Sequence, residues 1–219
     1  PLLGPNTAVY SFQNGIYAEG KLAELLGREH VIGGYAATPV SIVSPGVLRQ
    51  VGQRCTFGFG ELDNRRTKRV EDLLATCLRA GIDALIEPEI EAALWKKFVF
   101  INANSGGTAF CRAPLGAIRS DAWGRPFLLG LLSETAQVAR AMKIKVPEDL
   151  EASLMAEIDR APYEAQGSMY TDLQNQARLE LDWLNGLVVK LGEEKGVATP
   201  CNRAVMNALH LHKMGVAKA

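Results

Sequence analysis

The sequence predicts an α/β segment followed by an all-helical domain. Two observations carry this expectation. In the first third, two strand-like apolar runs enclose a short amphipathic stretch, the rhythm of a βαβ unit in a parallel sheet. From about Arg65 onward, apolar residues recur at helical spacing over roughly 140–150 residues, a length within the usual range for one domain.

Residues 7–13, Thr-Ala-Val-Tyr-Ser-Phe-Gln, read as the first strand, and Asn14-Gly15 is a strong turn dipeptide. Ala18–Leu26 carries Leu22, Leu25 and Leu26 at helical spacing and stops at Gly27, a suitable C-cap. Residues 31–38 then read as a buried strand. Residues 41–43, 47–51 and 54–59 form short β runs separated by Ser44-Pro45-Gly46 and Gly52-Gln53, and are expected to extend the sheet edge in antiparallel fashion. Residues 66–79 place Val70, Leu73, Leu74 and Leu78 on one helix face and end at Gly81. Residues 82–86 read as a short strand before Pro88. A long helix follows from about Ile90, with Gly106-Gly107 as the place where it could break. Further helices are expected over 122–142, 149–158, 169–195 and 202–212, with 115–118 as a connector and Thr199-Pro200 opening the last helix. The domain boundary falls at 64/65, giving 1–64 and 65–219.

The composition is that of a soluble globular protein, with 47% hydrophobic and 22% charged residues. A formal net charge of zero excludes the broad basic footprint of a nucleic-acid binder but leaves room for a small polar or anionic ligand. Cys55, Cys77, Cys111 and Cys201 are far apart and form no C-x-x-C pair, so reduced thiols fit better than a disulfide framework or a zinc site. No apolar run approaches the roughly 18 residues of a membrane span, and no basic region followed by an apolar stretch marks a signal peptide. A cytoplasmic protein is expected. The chain opens without methionine on Pro1-Leu2-Leu3-Gly4-Pro5 and runs straight into a strand whose backbone needs neighbours; the reading is a piece of a longer protein.

Three places could carry chemistry. Lys96 and Lys97 lie side by side between apolar residues, about 100° apart on a helix, so at most one is fully solvated. The other either snorkels along Trp95 and Phe98 or points into a cleft, where apolar walls lower an ammonium's pKa and suit it to proton donation. Taken alone, the structural role is the commoner one. Ser168 is a good N-cap residue, and Asp172 and Glu180, eight apart, would share a helix face. Glu180 sits among Leu179, Leu181, Trp183 and Leu184; a solvated face is the usual outcome for such a carboxylate, a pocket the informative one. Asn185-Gly186 would then be a flexible, close-packing spot in mid-helix. Asn14 lies in a polar loop at the end of a parallel strand, where ligands gather in open sheets, although turn chemistry explains it equally well. No G-x-G-x-x-G, G-x-S-x-G, H-E-x-x-H or Walker loop occurs, and Gly58-Phe59-Gly60 does not open a βαβ unit. His210 and His212, two apart, are poorly spaced for a metal, and no metal is expected.

In order, Q-N-G (13–15), P-G with β segments (45–60), L-W-K-K-F (94–98), S-M-Y-T-D (168–172), E-L-D-W-L-N-G (180–186) and G-V-A-T-P (196–200) resemble the ketopantoate reductase family. The similarity covers essentially the whole chain and draws its specificity from order and spacing. S-M-x-x-D followed eight residues later by E-x-D-x-L-x-G is its strongest part. The resemblance implies part of a Rossmann domain that binds NADPH, then a helical domain of the 6-phosphogluconate dehydrogenase C-terminal kind, with the active site in the cleft between them. It also implies that roughly 80–90 residues, including the pyrophosphate-binding turn, lie upstream of Pro1, so the 219 residues alone are expected to be inactive.

Position by position, the resemblance implies that Lys97 is the general acid and that Glu180 is a catalytic carboxylate positioning the substrate or the nicotinamide ribose. It implies that Ser168 binds the substrate and that Asn14 contacts both nicotinamide and substrate. One departure matters. The family's best-known members carry substrate-binding asparagines four and eight residues after the lysine, where this chain has Ile101 and Ser105. Ser105 is the substrate contact left at the second position, while Asn102 and Asn104 are each one residue out of register. The implied function is NADPH-dependent reduction of a 2-ketoacid, nominally 2-dehydropantoate on the way to pantothenate, by a possible homodimer. A different carbonyl substrate, or a non-catalytic helical interaction module, are the alternatives.

Overall fold

The computed structural model describes residues 3–38, 40–50 and 55–216. They fall into two compact units, Pro1–Leu94 and Trp95–Ala219.

The first unit contains β1 (Val9–Tyr10), α1 (Ala18–Leu26), β2 (Val31–Ala37), β3 (Val40–Ser44), β4 (Val47–Gln50), β5 (Thr56–Glu61), α2 (Lys68–Arg79), β6 (Asp83–Ile86) and the start of α3 (Ile90–Cys111). The main sheet has the order β1-β2-β5-β6. β1 runs parallel to β2, β2 antiparallel to β5, and β5 parallel to β6. The expected βαβ unit therefore forms, but its first strand is two residues long. The Ser11 hydroxyl accepts the Gln13 N–H at 3.1 Å and bends the chain out of the sheet.

The expected antiparallel edge extension forms differently. β3 and β4 pair only with each other, and all their residues are exposed. β5 instead lies inside the main sheet, because Phe59 packs with Ile32, Val70 and Ala84 in the core. Val51 to Arg54, with the expected Gly52-Gln53 turn, lie outside the described residues. Gly58 and Gly60 occupy ladder positions in β5, where a Cβ on Gly58 would fall 2.3 Å from the Tyr35 ring. Contrary to the sequence reading, this stretch does open a βαβ unit, through α2 to β6, yet its glycines serve close packing and form no phosphate turn. On α2, Val70 is fully buried and Leu73, Leu74 and Cys77 pack beside it, whereas Leu78 faces solvent. Pairing of β6 with β5 holds residues beyond 64 within the α/β unit, and the chain divides between Leu94 and Trp95.

Glu61, at the end of β5, is tied to α2. The Arg69 guanidinium grips it with two hydrogen bonds, at 2.7 Å and 2.5 Å, and the Thr67 hydroxyl donates to the same carboxylate. Burial works to raise the Glu61 carboxyl, but the Arg69 fork and the Thr67 hydroxyl outweigh it and hold it below the usual range. A lowered folded-state value means stability that is present above the unfolded value and lost as pH falls through the folded one. Glu61→Gln is expected to cost about 2 kcal/mol at neutral pH. In denaturant titrations the gap between variant and parent should shrink as pH falls below 4.5. A gap that is unchanged at low pH would remove the ion pair as its cause.

The second unit is helical. α3 continues unbroken through Gly106 and Gly107, where a Cβ on Gly107 would meet Leu128 at 2.7 Å. It is followed by α4 (Leu115–Ser120), α5 (Gly124–Ala141), α6 (Leu150–Arg160), α7 (Ser168–Gln174), α8 (Asn185–Lys195) and α9 (Pro200–Leu209), then a 3-10 turn at His210–His212. α4 stands where a connector is expected. The single helix expected over 169–195 is instead two helices separated by ten residues of turn, so Asp172 and Glu180 share no helix face and Asn185-Gly186 begins α8. Long-range pairing causes the break: Leu179 N–H donates to the Lys213 carbonyl at 2.9 Å, and Val216 N–H to the Gln176 carbonyl at 3.0 Å. The core includes Phe98, Leu128, Leu132, Leu154, Ile158 and Val188. Among the described residues, no helix is long and apolar enough to cross a membrane.

Candidate functional site

The N-terminal turns of α3 fix the lysine pair. Trp95, Phe98 and Val99 are buried, and the Trp95 and Phe98 rings meet edge-to-face at 5.5 Å. With those residues anchored inward, Lys96 is exposed and Lys97 is half-buried. The neighbours thus divide as their 100° separation requires: one solvated, one half-buried.

Two turns on, α3 meets the start of α7. Gly167 lies so close that a Cβ there would sit 2.4 Å from the Cα of Ser105 and 2.7 Å from its Oγ. Gly167 N–H also donates to Thr108 Oγ1 at 3.1 Å. Ser168 follows directly, so its backbone lies beside that of Ser105. Gly167 is the N-cap and Ser168 the first helical residue, so Ser168 is not the cap expected from its type; its side chain is exposed.

Glu180 lies in the turn before α8, where its carbonyl accepts the N–H groups of Trp183 and Leu184, both at 3.0 Å. Leu179 and Leu181 on either side are buried, and Glu180 is half-buried between them. Asn14 is exposed in the loop joining β1 to α1, at the end of a parallel strand. It belongs to the first unit, whereas Lys97, Ser105, Ser168 and Glu180 belong to the second.

The two asparagines near the lysine have different fates. Asn102 is fully buried and donates to Thr135 Oγ1 at 3.0 Å and Asn202 Oδ1 at 2.7 Å. Asn185 Nδ2 donates to the same Asn202 oxygen at 2.9 Å. Asn202 in turn donates from Nδ2 to Glu134 at 2.8 Å. Asn102 is therefore tied into a structural network through its Nδ2, while its Oδ1, like that of Asn185, is buried with no partner among the described residues. Asn104 is half-buried, and its Oδ1 is buried with no hydrogen-bond partner among the described residues. It follows Lys97 by seven residues, within about 20° on the helix, and so shares the lysine's face more closely than either position 101 or 105 does. Register counted from Lys97 itself would have found it in the sequence.

The second unit thus has an ammonium and two serine hydroxyls on and beside α3, donors suited to a small anion, and in the Asn104 Oδ1 an unpaired acceptor suited to a hydroxyl. Among the described residues, no group of three His, Cys, Asp or Glu is placed to hold a metal ion. All four cysteines are free; Cys111 is exposed.

Residues 1–64 match the family model described as ketopantoate reductase PanE/ApbA, and residues 89–213 match ketopantoate reductase PanE/ApbA C terminal. The 2-dehydropantoate 2-reductase of Pyrobaculum aerophilum is 30% identical over 84% of the chain and 64% of its own length. The crystal structure of 2-dehydropantoate 2-reductase from Geobacter metallireducens superposes with a TM-score of 0.88 at 26% identity, covering 96% of this chain and 70% of that one. A ternary structure of D-mandelate dehydrogenase with NADH and anilino(oxo)acetate shares the fold at 20% identity, with a TM-score of 0.86 over 97% of this chain and 69% of that one. The chain spans about two thirds of the length of these relatives. With both family models matched in order over most of its residues, the chain belongs to the ketopantoate reductase family of oxidoreductases.

Proposed function

We propose that this chain carries the substrate-binding and proton-donating residues of an NADPH-dependent 2-ketoacid reductase, nominally reducing 2-dehydropantoate to pantoate for pantothenate synthesis in the cytoplasm. The observation that carries the reading is the half-buried Lys97 with the unsatisfied Asn104 on its own helix face and the Ser105 and Ser168 hydroxyls beyond it.

NADPH, when bound, supplies the hydride that reaches the carbonyl carbon. Lys97 holds its ammonium proton toward the carbonyl oxygen, stabilises the negative charge that grows there and gives up that proton, leaving a 2-hydroxyacid. Ser105 and Ser168 donate to the substrate carboxylate, and Asn104 Oδ1 accepts from a substrate hydroxyl. Glu180 positions the substrate or the ribose, and Asn14 contacts the nicotinamide end. The exposed loop of Asn14, at the end of a parallel strand, suits that contact. In this reading the α/β unit serves the nucleotide and the helical unit the substrate. A homodimer would cover the exposed Trp123, one helical turn from the Phe127–Phe110 ring pair.

The test is ketopantoate-dependent NADPH oxidation by the full-length protein bearing this sequence. Turnover of roughly 1–1000 per second is expected. Normal NADPH binding without turnover would favour the second reading, another 2-ketoacid or ketone, for which Ile101 and Ser105 are the motivating residues. Parallel assays with NADH decide the cofactor.

The 219 residues contain no G-x-G-x-x-G turn to cradle a pyrophosphate. By themselves they are expected to bind NADPH weakly or not at all in a fluorescence titration. Tight binding would show that another element holds the phosphates.

A further inference from the structure

The helical unit holds an open depression of about 410 Å³ at the far end of α3. Arg112 on its wall follows Lys97 by 15 residues, about 22 Å along a helix. The volume falls within the range of small-molecule sites. Leu173, Ala177, Leu211 and Val216 make its walls mostly apolar, Arg112 and His212 bring basic side chains, and no aspartate or glutamate lines it.

Arg119 is satisfied by the carbonyls of Ile158 and Ala161, and Arg140 by Glu151. Among the described residues, the Arg112 guanidinium has no such acceptor. Arg160 and Arg178 are likewise exposed with no acceptor among the described residues, so what sets Arg112 apart is its place on a mostly apolar wall. Its backbone is nevertheless fixed, since Tyr170 Oη donates to the Arg112 carbonyl at 2.8 Å. The opposite wall is held by the Val216 N–H to Gln176 carbonyl bond.

Both Arg112 (φ 51°) and Gln176 (φ 53°) stand in the left-handed region just after helix ends, where glycine is favoured. α2 and α8 end on Gly81 and Gly196 at that conformation. α3 and α7 place long polar side chains there instead, and both line this cavity; a third such residue, Lys143 after α5, does not. Strained positions that keep a side chain point to a use for it.

We propose that this cavity is a ligand site, separate from the one around Lys97, for a small organic carboxylate with an apolar body. The carboxylate pairs with the Arg112 guanidinium beside His212, and the apolar chain lies along Leu173, Ala177, Leu211 and Val216. A guanidinium meets a carboxylate with two parallel hydrogen bonds, and the apolar lining gives the ligand's chain a surface to cover.

Calorimetric titration of the full-length protein with hexanoate, acetate and hexan-1-ol tests this. Hexanoate is expected to bind at least about tenfold more tightly than either the short acid or the neutral alcohol. Arg112→Gly relieves the left-handed backbone and so keeps the fold; it should weaken hexanoate about tenfold or more without lowering the melting temperature. Lys97→Ala should leave hexanoate binding unchanged. No measurable hexanoate binding, equal binding by Arg112→Gly, equal affinity for all three probes, or loss of binding in Lys97→Ala would each overturn the proposal.

Discussion

Replacing Lys97 by alanine is expected to lower kcat for 2-ketoacid reduction by the full-length protein roughly 10²–10⁴-fold, the usual contribution of a positioned general acid. NADPH affinity should hardly change. Lys96 cannot substitute, because it lies about 100° around α3 and faces solvent. Lys97→Arg separates charge from proton transfer. It keeps a cation near the developing oxyanion, but a guanidinium gives up its proton far less readily, so activity between parent and alanine variant is expected. The melting temperature should move little in either variant, since Trp95, Phe98 and Val99 anchor that part of the helix. Turnover of Lys97→Ala within twofold of the parent would take the acid role from this residue. If no substrate in a 2-ketoacid panel were turned over by the parent, the fault would lie with the assigned reaction.

What the sequence made legible follows from how far each interaction reaches along the chain. α1 is found at its expected bounds because leucines at helical spacing and a terminal glycine are local signals. The lysine pair divides as spacing alone required. The break between α7 and α8 was not legible. Leu173, Leu181, Leu184 and Val188 continue a helical pattern with no proline, and the chain turns out because its backbone pairs with residues 213–216. Sheet order was hidden for a similar reason. β3, β4 and β5 are all short β runs bounded by turn residues, and the packing of Phe59 with Ile32 and Val70 draws β5 into the main sheet. Among the site residues, the closeness of the Ser105 and Ser168 backbones depends on Gly167, which looks like an ordinary loop glycine in the sequence.

Glu134 holds the most consequential residue position that no motif announced, and Glu134→Ala is expected to destabilise the protein by about 3–5 kcal/mol. Glu134, on α5, is buried, and its carboxylate accepts the backbone N–H groups of Cys201 at 2.7 Å and Asn202 at 2.9 Å. These are first-turn donors of α9, whose N-cap Thr199 supplies no side-chain bond. A carboxylate from another helix therefore caps α9 and meets the positive end of its dipole. The same carboxylate orients Asn202, whose Oδ1 gathers Asn102 from α3 and Asn185 from α8. Alanine would leave three donors without an acceptor, two of them buried, and free Asn202 to turn, loosening four helices together. At about 2–4 °C per kcal/mol for a chain of this size, the melting temperature should fall by roughly 6–20 °C. Glutamine should cost less, because one oxygen remains for Cys201 while its amide opposes the Asn202 donors. Cys201 offers an independent readout. Burial first, then the Glu134 hydrogen bond and charge, push its thiol up to about 12. Removing the carboxylate should lower that value and speed alkylation of Cys201, measured in a background where the exposed Cys111 has been replaced by serine. A melting temperature within about 2 °C of the parent, with Cys201 no more reactive, would mean the helices hold their register by apolar packing alone.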